Sequence, residues 1–391
     1  MDLPAQHEGE SKIRRRTRRG FIIATLAAII GWWTRAIQFI LFLAIAGIDR
    51  RLINIDAPDL GPSVREWAEL SPPATVPPPT GSRCGITYHH WYHNFSPKAA
   101  NRCLAEIAGL GAGYLRADIR WMDLLPDGTH LDANARDWYR NYLQVAQQWY
   151  GLTPIVVLSN PPKTIANLPD DLKISAWETY IDLAIANFGD LCRSYQLMNE
   201  INSPVFRFIS PERLGSAITT AASRIRASLS HCELMINVMA DYPGWVEDTQ
   251  KYIAQFASAI DIVGIDFYPD TWSVSLGNPW KRVELGIARL RTTTPAKMRL
   301  AILETGYSTN IPLVRSERQQ VEFYRHLRNT VQMLENQHGG TKLAHIALYE
   351  IIDQNSNIPL DPETHFGLLK SESFRRKEGY AEAQHICELF H

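Results

Sequence analysis

The chain alternates short apolar runs with longer segments in which apolar residues recur at helical spacing. Short apolar runs bounded by polar residues are typical of buried parallel strands, and the longer segments are typical of helices with one buried face. The runs predict strands at 84–90, 113–118, 153–159, 195–200, 233–239, 260–268, 298–304 and 344–350. The segments between them predict helices at 97–110, 134–150, 175–188, 211–229, 245–256, 283–291, 316–335 and 375–389.

Two of the helix starts carry a specific signal. Ser96-Pro97 and Ser210-Pro211 each place a serine at the N-cap and a proline in the first turn. Strands that alternate with helices in this number predict an α/β protein with a (β/α)8 TIM barrel over residues 84–391. An open doubly wound sheet is the alternative, but the first strand is followed by His89-His90-Trp91-Tyr92 and not by a glycine-rich phosphate turn.

Three predicted strands end on a glutamate, at Glu200, Glu304 and Glu350, and the first two carry the catalytic hypothesis. Tyr195–Glu200 (YQLMNE) closes with Asn199-Glu200, and Leu300–Gly306 (LAILETG) carries Glu304 in the same position. The carboxyl ends of the strands form the catalytic face of a (β/α)8 barrel. Two carboxylates at that face suit an acid and a nucleophile that act on a glycosidic bond, whereas a single glutamate there would more often be a solvated strand cap.

The other strand ends are rich in polar and aromatic residues, which are the usual groups for binding sugar hydroxyls and sugar faces. His89 and His90 are adjacent on one strand and therefore point to opposite faces, so at most one of them faces the cleft. The candidate substrate-binding residues are His90, Trp91, Arg116, Asp118, Trp121, Asn160, Asn199, Tyr268, Trp272 and Tyr349.

The first 47 residues differ in composition from the rest of the chain. Residues 1–20 carry six positive charges between Lys12 and Arg19, and residues 21–47 are almost entirely apolar. About twenty apolar residues span a bilayer, and flanking lysines and arginines stay on the cytoplasmic side. We therefore expect a basic cytoplasmic N-terminus (1–20), a transmembrane helix (21–47), and a catalytic domain on the periplasmic or extracellular side.

Two features of this segment leave alternatives open. Arg35 would lie near the middle of the membrane, and it can instead divide the segment into two interfacial amphipathic pieces. Thr17–Ile22 (TRRGFI) is similar to a twin-arginine export motif, and Ala44-Ile45-Ala46 is a candidate cleavage site, which would make the protein exported after signal cleavage. Both the anchor and the export signal place the main domain outside the cytoplasm.

Residues 48–83 predict a proline-rich linker. Prolines at 72, 73 and 77–79, followed by Gly81, disfavour regular structure and favour an extended, semi-rigid spacer. Such a spacer would hold the domain away from the membrane surface.

Charge and cysteine content exclude some partners. The formal net charge of −1 gives no electrostatic basis for nucleic-acid binding. The five cysteines form no CxxC motif and no Cys/His cluster, so we expect no metal site and no cofactor. Cys192 and Cys232 precede neighbouring strands, and they could form a disulfide in an oxidising compartment.

Taken together in order, five segments between residues 84 and 390 resemble the clan A retaining glycoside hydrolases. In that clan an Asn-Glu pair closes strand four, a glutamate closes strand seven, and an arginine on strand two supports the nucleophile. A tyrosine on strand six hydrogen-bonds the nucleophile. The matching segments are Leu115–Trp121 (LRADIRW), Tyr195–Glu200, Ile262–Pro269 (IVGIDFYP), Leu300–Gly306, and Ala347–Gln354 (ALYEIIDQ) with His365–Leu369 (HFGLL) after it.

The last of these segments is similar to the branch that includes β-xylosidase-like and exopolysaccharide-cleaving enzymes. Two departures concern substrate binding more than chemistry. Tyr349 stands where the clan commonly has tryptophan, and Leu125-Pro126 stands where it commonly has Glu-Pro.

The resemblance implies a glycosidase that hydrolyses O-glycosyl bonds with Glu304 as nucleophile and Glu200 as acid/base. It implies a β-linked polysaccharide or oligosaccharide substrate, with internal cleavage of an exopolysaccharide as the expectation. One alternative is a catalytically idle carbohydrate-binding subunit of a polysaccharide synthesis or secretion system. A different barrel hydrolase or lyase is a third class, but the sequence contains no metal-ligand or phosphate-loop motif to support it.

Overall fold

A computed structural model describes residues 60–75, 81–241, 244–269, 271, 278–310, 315–337, 342–357 and 361–391. Parallel strands form a closed barrel in which each strand pairs with its neighbour in sequence, and β1 pairs with β8. The strands are β1 Cys84–Thr87, β2 Tyr114–Arg120, β3 Thr153–Ser159, β4 Ser194–Leu197, β5 Glu233–Met239, β6 Ile262–Phe267, β7 Arg299–Thr305 and β8 Ile346–Leu348. The predicted (β/α)8 barrel is confirmed.

The helices alternate with the strands and lie close to the predicted positions. The helices are α1 Gly61–Trp67, α2 Pro97–Gly109, α3 Trp121–Leu124, α4 Ala133–Tyr150, α5 Lys163–Ala166, α6 Asp170–Phe188, α7 Leu214–Ser228, α8 Trp245–Phe256, α9 Pro279–Thr293, α10 Glu317–Gln337 and α11 Gly379–Leu389. Two 3-10 turns, His90–His93 and Glu363–His365, complete the set for the described residues.

The two predicted helix starts have different outcomes. Ser96 caps α2, where its Oγ accepts a hydrogen bond from the backbone N–H of Ala99. Ser210 does not cap a helix, because its hydroxyl and its N–H both bond to the Asp170 carboxylate, and α7 begins only at Leu214. The Ser-Pro signal was therefore correct at α2 and wrong at α7, where a contact to another helix takes the serine.

The apolar core has two layers. Outward-facing strand residues and the buried faces of the helices form one large cluster around the barrel. A smaller cluster fills the barrel interior and consists of Ile155, Met235, Ile262, Ala301 and Leu303. Gly264 lies beside that interior layer, and a Cβ at this position would overlap the Leu303 side chain. The interior is thus packed with side chains below the catalytic face, as expected of this fold.

A charged cluster closes the opposite, amino-terminal end of the barrel. Glu233 at the start of β5 contacts His345 Nε2 at 2.7 Å and Arg299 Nη2 at 2.5 Å. Burial alone would raise the pKa of Glu233, but its hydrogen bonds with His345 and Arg299 outweigh burial and lower the pKa to about 2. The carboxylate is therefore bound in its ionised form and contributes to stability.

A helix lies inside the segment that the sequence predicts to be an irregular linker. Helix α1 has Pro62 in its first turn, and its Trp67 is buried with its ring centroid 5.7 Å from that of Trp138 in α4. The prediction of an irregular 48–83 was wrong for residues 61–67, because contact with the barrel stabilises a helix that local composition disfavours. Ordered packing on the barrel begins before residue 84.

Several predicted features fall outside the described residues. These are the basic N-terminus, the 21–47 segment, the linker residues 48–59 and 76–80, and Trp272. Within the described ranges, no helix combines the length and the apolar character needed to cross a membrane. All five cysteines are free thiols in this structure, which therefore contains no bond between Cys192 and Cys232.

Candidate active site

Glu304 enters the barrel mouth because the register of β7 shifts. Ala301 and Leu303 face the interior, while Ile302 belongs to the outer layer. Strict alternation would turn Glu304 outward. The β6–β7 pairing instead changes register after Ile265↔Ile302, so that Asp266 pairs with Glu304. This irregularity acts as a bulge, which re-aims a side chain at a functional site.

Both carboxylate oxygens of Glu304 are held by residues from other parts of the barrel, one on β2 and one just after β6. Arg116 Nη2 lies 2.6 Å from Oε1, and the Tyr268 hydroxyl donates a hydrogen bond to Oε2 at 2.6 Å. Burial lowers the pKa of Arg116, but the charges of Glu304 and Asp266 outweigh burial and raise it. Burial and the charge of Glu304 also raise the pKa of Tyr268. Arg116 therefore stays cationic and Tyr268 keeps its proton, so one charged and one neutral donor hold the two oxygens of Glu304.

Glu200 follows β4 in a backbone conformation that few residues adopt. Met198 and Glu200 have φ values of 64° and 41°, in the left-handed region. The backbone N–H of Glu200 donates to Asn237 Oδ1 at 2.7 Å, which fixes this conformation. Such backbone outliers cluster at active sites, where the surrounding structure has to maintain them.

The separation of the two glutamates is short. An oxygen of Glu200, one of Glu304 and one of Asp266 all lie within 4.8 Å of one another. Retaining glycosidases place their two carboxyl groups about 5 Å apart, whereas inverting enzymes leave roughly 6.5–9.5 Å for a water molecule. The arrangement is on the retaining side, and both glutamates are at least nine-tenths buried.

Asn199 is held by residues of two other strands. Its Oδ1 accepts hydrogen bonds from Arg116 Nη2 at 3.1 Å and from Asn237 Nδ2 at 2.8 Å. Gln196 Nε2 donates to the same oxygen at 3.2 Å. The side-chain amide is therefore fixed beside the two glutamates, with its donor end available to a hydroxyl of a bound sugar.

The structure places His89, and not His90, at the site. His89 lies between Asp118 (Nε2 to Oδ2, 3.3 Å) and Glu350 (Nδ1 to Oε2, 3.4 Å), and it stacks on Trp91. Burial lowers the pKa of His89, but the two carboxylates outweigh burial and raise it to about 10. His89 is therefore an imidazolium at neutral pH.

His90 is fully buried behind the barrel wall. Its ring packs 4.6 Å from Trp138, and its Nε2 is 3.3 Å from the Tyr139 hydroxyl. Burial lowers the pKa of His90 well below its ordinary value. The prediction that His90 binds substrate was therefore wrong. The inward side of β1 carries Gly85 and Thr87, so the next inward position is His89.

The predicted aromatic platforms are divided between the site and the core. Trp91 and Tyr349 lie around His89, with ring centroids 4.5 Å and 5.3 Å from the imidazole. Trp121 is fully buried and stacks on Tyr180 at 5.1 Å, so its prediction as a sugar platform was wrong. Asn160 is partly exposed after β3, also with a left-handed φ of 58°.

Several polar residues of the site are not among the predicted substrate-binding residues. Asp266 and Asn237 are fully buried beside the two glutamates, and Gln196 donates from its Nε2 to Asn199 and receives a bond from Arg116 Nε. Each has an inward strand position next to a recognised site residue, so strand alternation was the signal that could have identified them. Glu350 closes the predicted eighth strand, and its contact with His89 places it at the site.

Among the described residues, one group of side chains is close enough together to surround a cation, and it consists of Glu200, Asp266 and Glu304. The charge of Glu304 is already compensated by Arg116, and Tyr268 occupies its second oxygen. These contacts fit a nucleophile and its acid partner better than a metal site.

Comparisons with known proteins show the fold. No protein-family model matches the chain, and no curated protein sequence matches it. The chain is similar in structure to a family 1 β-glucosidase from Thermotoga maritima (15% identity, TM-score 0.59, 78% of this chain and 96% of that one). It is also similar to the β-glycosidase BGL167, with 18% identity and a TM-score of 0.57 over 77% of this chain and 86% of that one. A third similar structure is an exo-β-1,4-mannosidase from an Opitutaceae bacterium, with 14% identity and a TM-score of 0.62 over 82% of this chain and 62% of that one. At these identities the similarity establishes a shared barrel and does not assign an activity.

Proposed function

We propose that the chain is a retaining glycoside hydrolase that cleaves β-glycosidic bonds by double displacement. The observation that carries this proposal is that an oxygen of Glu200 and one of Glu304 lie within 4.8 Å of each other. The contacts of the two glutamates support the assignment of Glu304 as nucleophile and Glu200 as acid/base. Arg116 and the Tyr268 hydroxyl both contact Glu304, which favours an ionised nucleophile at that position.

The two steps use the same two carboxyl groups. In the first step, Glu304 attacks the anomeric carbon while Glu200 gives its proton to the departing glycosidic oxygen. In the second step, the Glu200 carboxylate takes a proton from water, and the resulting nucleophile attacks the anomeric carbon and releases Glu304. Each step inverts the anomeric centre, so the product retains the original configuration.

The surrounding residues fit the binding of a sugar at this position. Asn199 is fixed beside both glutamates and is suited to a hydrogen bond with the sugar 2-hydroxyl. Trp91, Tyr349 and Asp118 surround His89, and aromatic rings beside polar groups are a common setting for a bound sugar. The β-glycosidases of similar fold support the same class of substrate for this chain.

We further propose that the substrate is a polysaccharide cut internally outside the cytoplasm, and that an exopolysaccharide is the natural polymer. The support is in the sequence, where a basic run and the apolar residues 21–47 precede the barrel. A reporter fused after His391 should then be active only outside the cytoplasm. Reporter activity in the cytoplasm would contradict this location.

A polysaccharide panel that includes the polymer of the source cell tests the activity. Reducing ends should appear with the wild-type chain, and NMR should show the product first in its original anomeric form. Glu304→Ala, which removes the nucleophile, should abolish cleavage of every substrate. Products of inverted configuration would refute the retaining mechanism. A wild-type chain that binds polymer without cleaving it would refute the enzyme and favour a carbohydrate-binding subunit.

A further inference from the structure

A third carboxyl group lies beneath the two glutamates. Asp266 of β6 is fully buried and pairs in register with Glu304 of β7. Its Oδ2 accepts a hydrogen bond from Asn237 Nδ2. Burial and the charge of Glu304 raise the pKa of Asp266 well above its ordinary value. The position is costly for a carboxyl group, and residue 266 does not contact solvent.

Asn237 links Asp266 to the acid/base. The Asn237 amide donates from Nδ2 to both Asp266 and Asn199, while its Oδ1 accepts the backbone N–H of Glu200. If the amide were reversed, its carbonyl oxygen would face two acceptor oxygens, and its NH2 group would face the Glu200 N–H. Asp266 therefore helps to select the orientation in which Asn237 holds Glu200.

We propose that Asp266 is a positioning residue, which acts through Asn237 to orient the Glu200 backbone and the Asn199 amide. It is not a nucleophile or an acid, because Glu304 and Glu200 fill those roles. This inference rests on the proposed function. It predicts a loss confined to proton donation and to recognition of the sugar 2-hydroxyl, while attack by Glu304 is preserved.

Two substitutions at residue 266 separate this role from others. Asp266→Asn keeps an acceptor oxygen for Asn237 and should stay within about threefold of the wild-type kcat, because the contact survives. Asp266→Ala removes the acceptor and should lower kcat by about tenfold or more on poor leaving groups, with a smaller loss on activated aryl glycosides. Thr249→Val, a buried polar deletion in α8 away from the site, is the control and should leave kcat unchanged.

A double-mutant cycle gives a second test if Asp266→Ala folds poorly. Asn237→Asp alone places two carboxyl groups against each other and should lower kcat sharply. Adding Asp266→Asn restores a donor and an acceptor between the two positions and should recover part of the loss. The inference would be overturned if wild type and Asp266→Ala had equal kcat. It would also be overturned if the double variant, Asn237→Asp with Asp266→Asn, recovered no activity over Asn237→Asp alone. An inactive wild type would instead refute the proposed glycosidase.

A second, independent observation concerns two cysteines on the outer side of the barrel. Cys84 begins β1 and Cys387 lies in α11, and both are fully buried with their Sγ atoms 2.6 Å apart. Ser82 joins the same two segments, because its Oγ donates to the Cys387 carbonyl and accepts the Cys84 N–H. The two thiols are thus held face to face by ordered backbone.

We infer that Cys84 and Cys387 form a disulfide when the chain folds in an oxidising compartment. A low-molecular-weight disulfide such as oxidised glutathione is the oxidant. One cysteine thiolate attacks it and forms a mixed disulfide, and the second displaces the remaining thiol. Two protein thiols are oxidised while one disulfide is reduced to two thiols. The bond would join the first strand of the barrel to its last helix.

Thiol counting on the full chain tests this pairing. Protein refolded with oxidised and reduced glutathione should contain three reactive thiols after denaturation, and a linked peptide pair should contain residues 84 and 387. Cys84→Ser should lose the linked pair, whereas Cys192→Ser should keep it. The linked form should melt several degrees above the reduced form, since the cross-link restricts the unfolded chain. Five reactive thiols in the refolded wild type would overturn the inference.

Discussion

Tyr268 donates its hydroxyl proton to Glu304 Oε2 at 2.6 Å, on the oxygen that Arg116 does not contact. This bond orients the carboxylate without adding charge, because burial and the charge of Glu304 raise the pKa of Tyr268 and keep it protonated. Arg116 contributes a positive charge beside the Glu304 carboxylate, and Tyr268 fixes the orientation of that carboxylate. The two contributions can be separated by mutation.

Tyr268→Phe should lower kcat by about tenfold to a hundredfold, because one donor to the nucleophile is lost while the ring and the ion pair stay. The substitution should leave the thermal midpoint nearly unchanged. Steady-state kinetics on an aryl β-glycoside and a melting curve measure the two effects. Tyr324→Phe removes a buried hydroxyl on α10, away from the site, and provides the matched control. An unchanged kcat for Tyr268→Phe would contradict the orienting role.

Glu200→Ala should have an effect that depends on the leaving group. An activated aryl group departs without a proton, so its cleavage should fall much less than cleavage of an unactivated sugar. Azide should rescue the variant by attacking the glycosyl-enzyme and give a glycosyl azide of retained configuration. Azide added to Glu304→Ala should give the inverted azide. Exchanged behaviour of the two variants would reverse the assigned roles.

Strand alternation explains what could be predicted and what could not. The eight apolar runs are sufficient to place Glu200 and Glu304 at the catalytic face, because their strands end there. The inward direction of Glu304 could not be predicted, since it depends on the register shift opposite Ile265 and Asp266. That shift arises from pairing between strands and leaves no local signal in β7.

The misassigned aromatic and histidine residues follow from tertiary contacts. Alternation from Thr87 points to His89, so this error was avoidable. Trp121 could not be placed from sequence, because its contact with Tyr180 depends on how α6 packs against the barrel. Trp67 likewise is buried against Trp138, which lies far away in the chain. In each case the burial is determined by residues that are distant in the chain.

His89→Phe should destabilise the protein most at low pH. The pKa of His89 is raised from 6.5 to about 10 in the fold, so its contribution is fully present below pH 6.5 and is lost as the pH rises through 10. Between these values the stability difference between wild type and variant should shrink by at most about 1.4 kcal/mol per pH unit. Urea unfolding at several pH values measures this difference.

The matched control is His130→Phe, since His130 is an exposed residue that pairs with Asp127 on the surface. Its variant should show little difference from wild type at any of these pH values. A stability difference for His89→Phe that grows above pH 7 would contradict the expected direction of the pH dependence. It would mean that the imidazole is neutral between Asp118 and Glu350.

Glu233→Gln should test the charged cluster at the amino-terminal end of the barrel, where no substrate contact is involved. The pKa of Glu233 is lowered from 4.5 to about 2, which corresponds to at most about 3 kcal/mol of stability at neutral pH. A depressed carboxyl pKa stabilises the fold above pH 4.5, and this contribution is lost as the pH falls toward 2. The deficit of the variant, measured by urea unfolding, should therefore be constant above pH 5 and shrink below it.

The Gln side chain keeps the size of Glu233 and one acceptor, so a deficit reports the lost charge and not a cavity. Glu247→Gln is the control, because Glu247 forms an exposed ion pair with Arg289 and its loss should change stability little. A deficit that does not depend on pH would attribute the effect to packing. Equal stability of Glu233→Gln and wild type would show that burial of the carboxylate cancels the gain from Arg299 and His345.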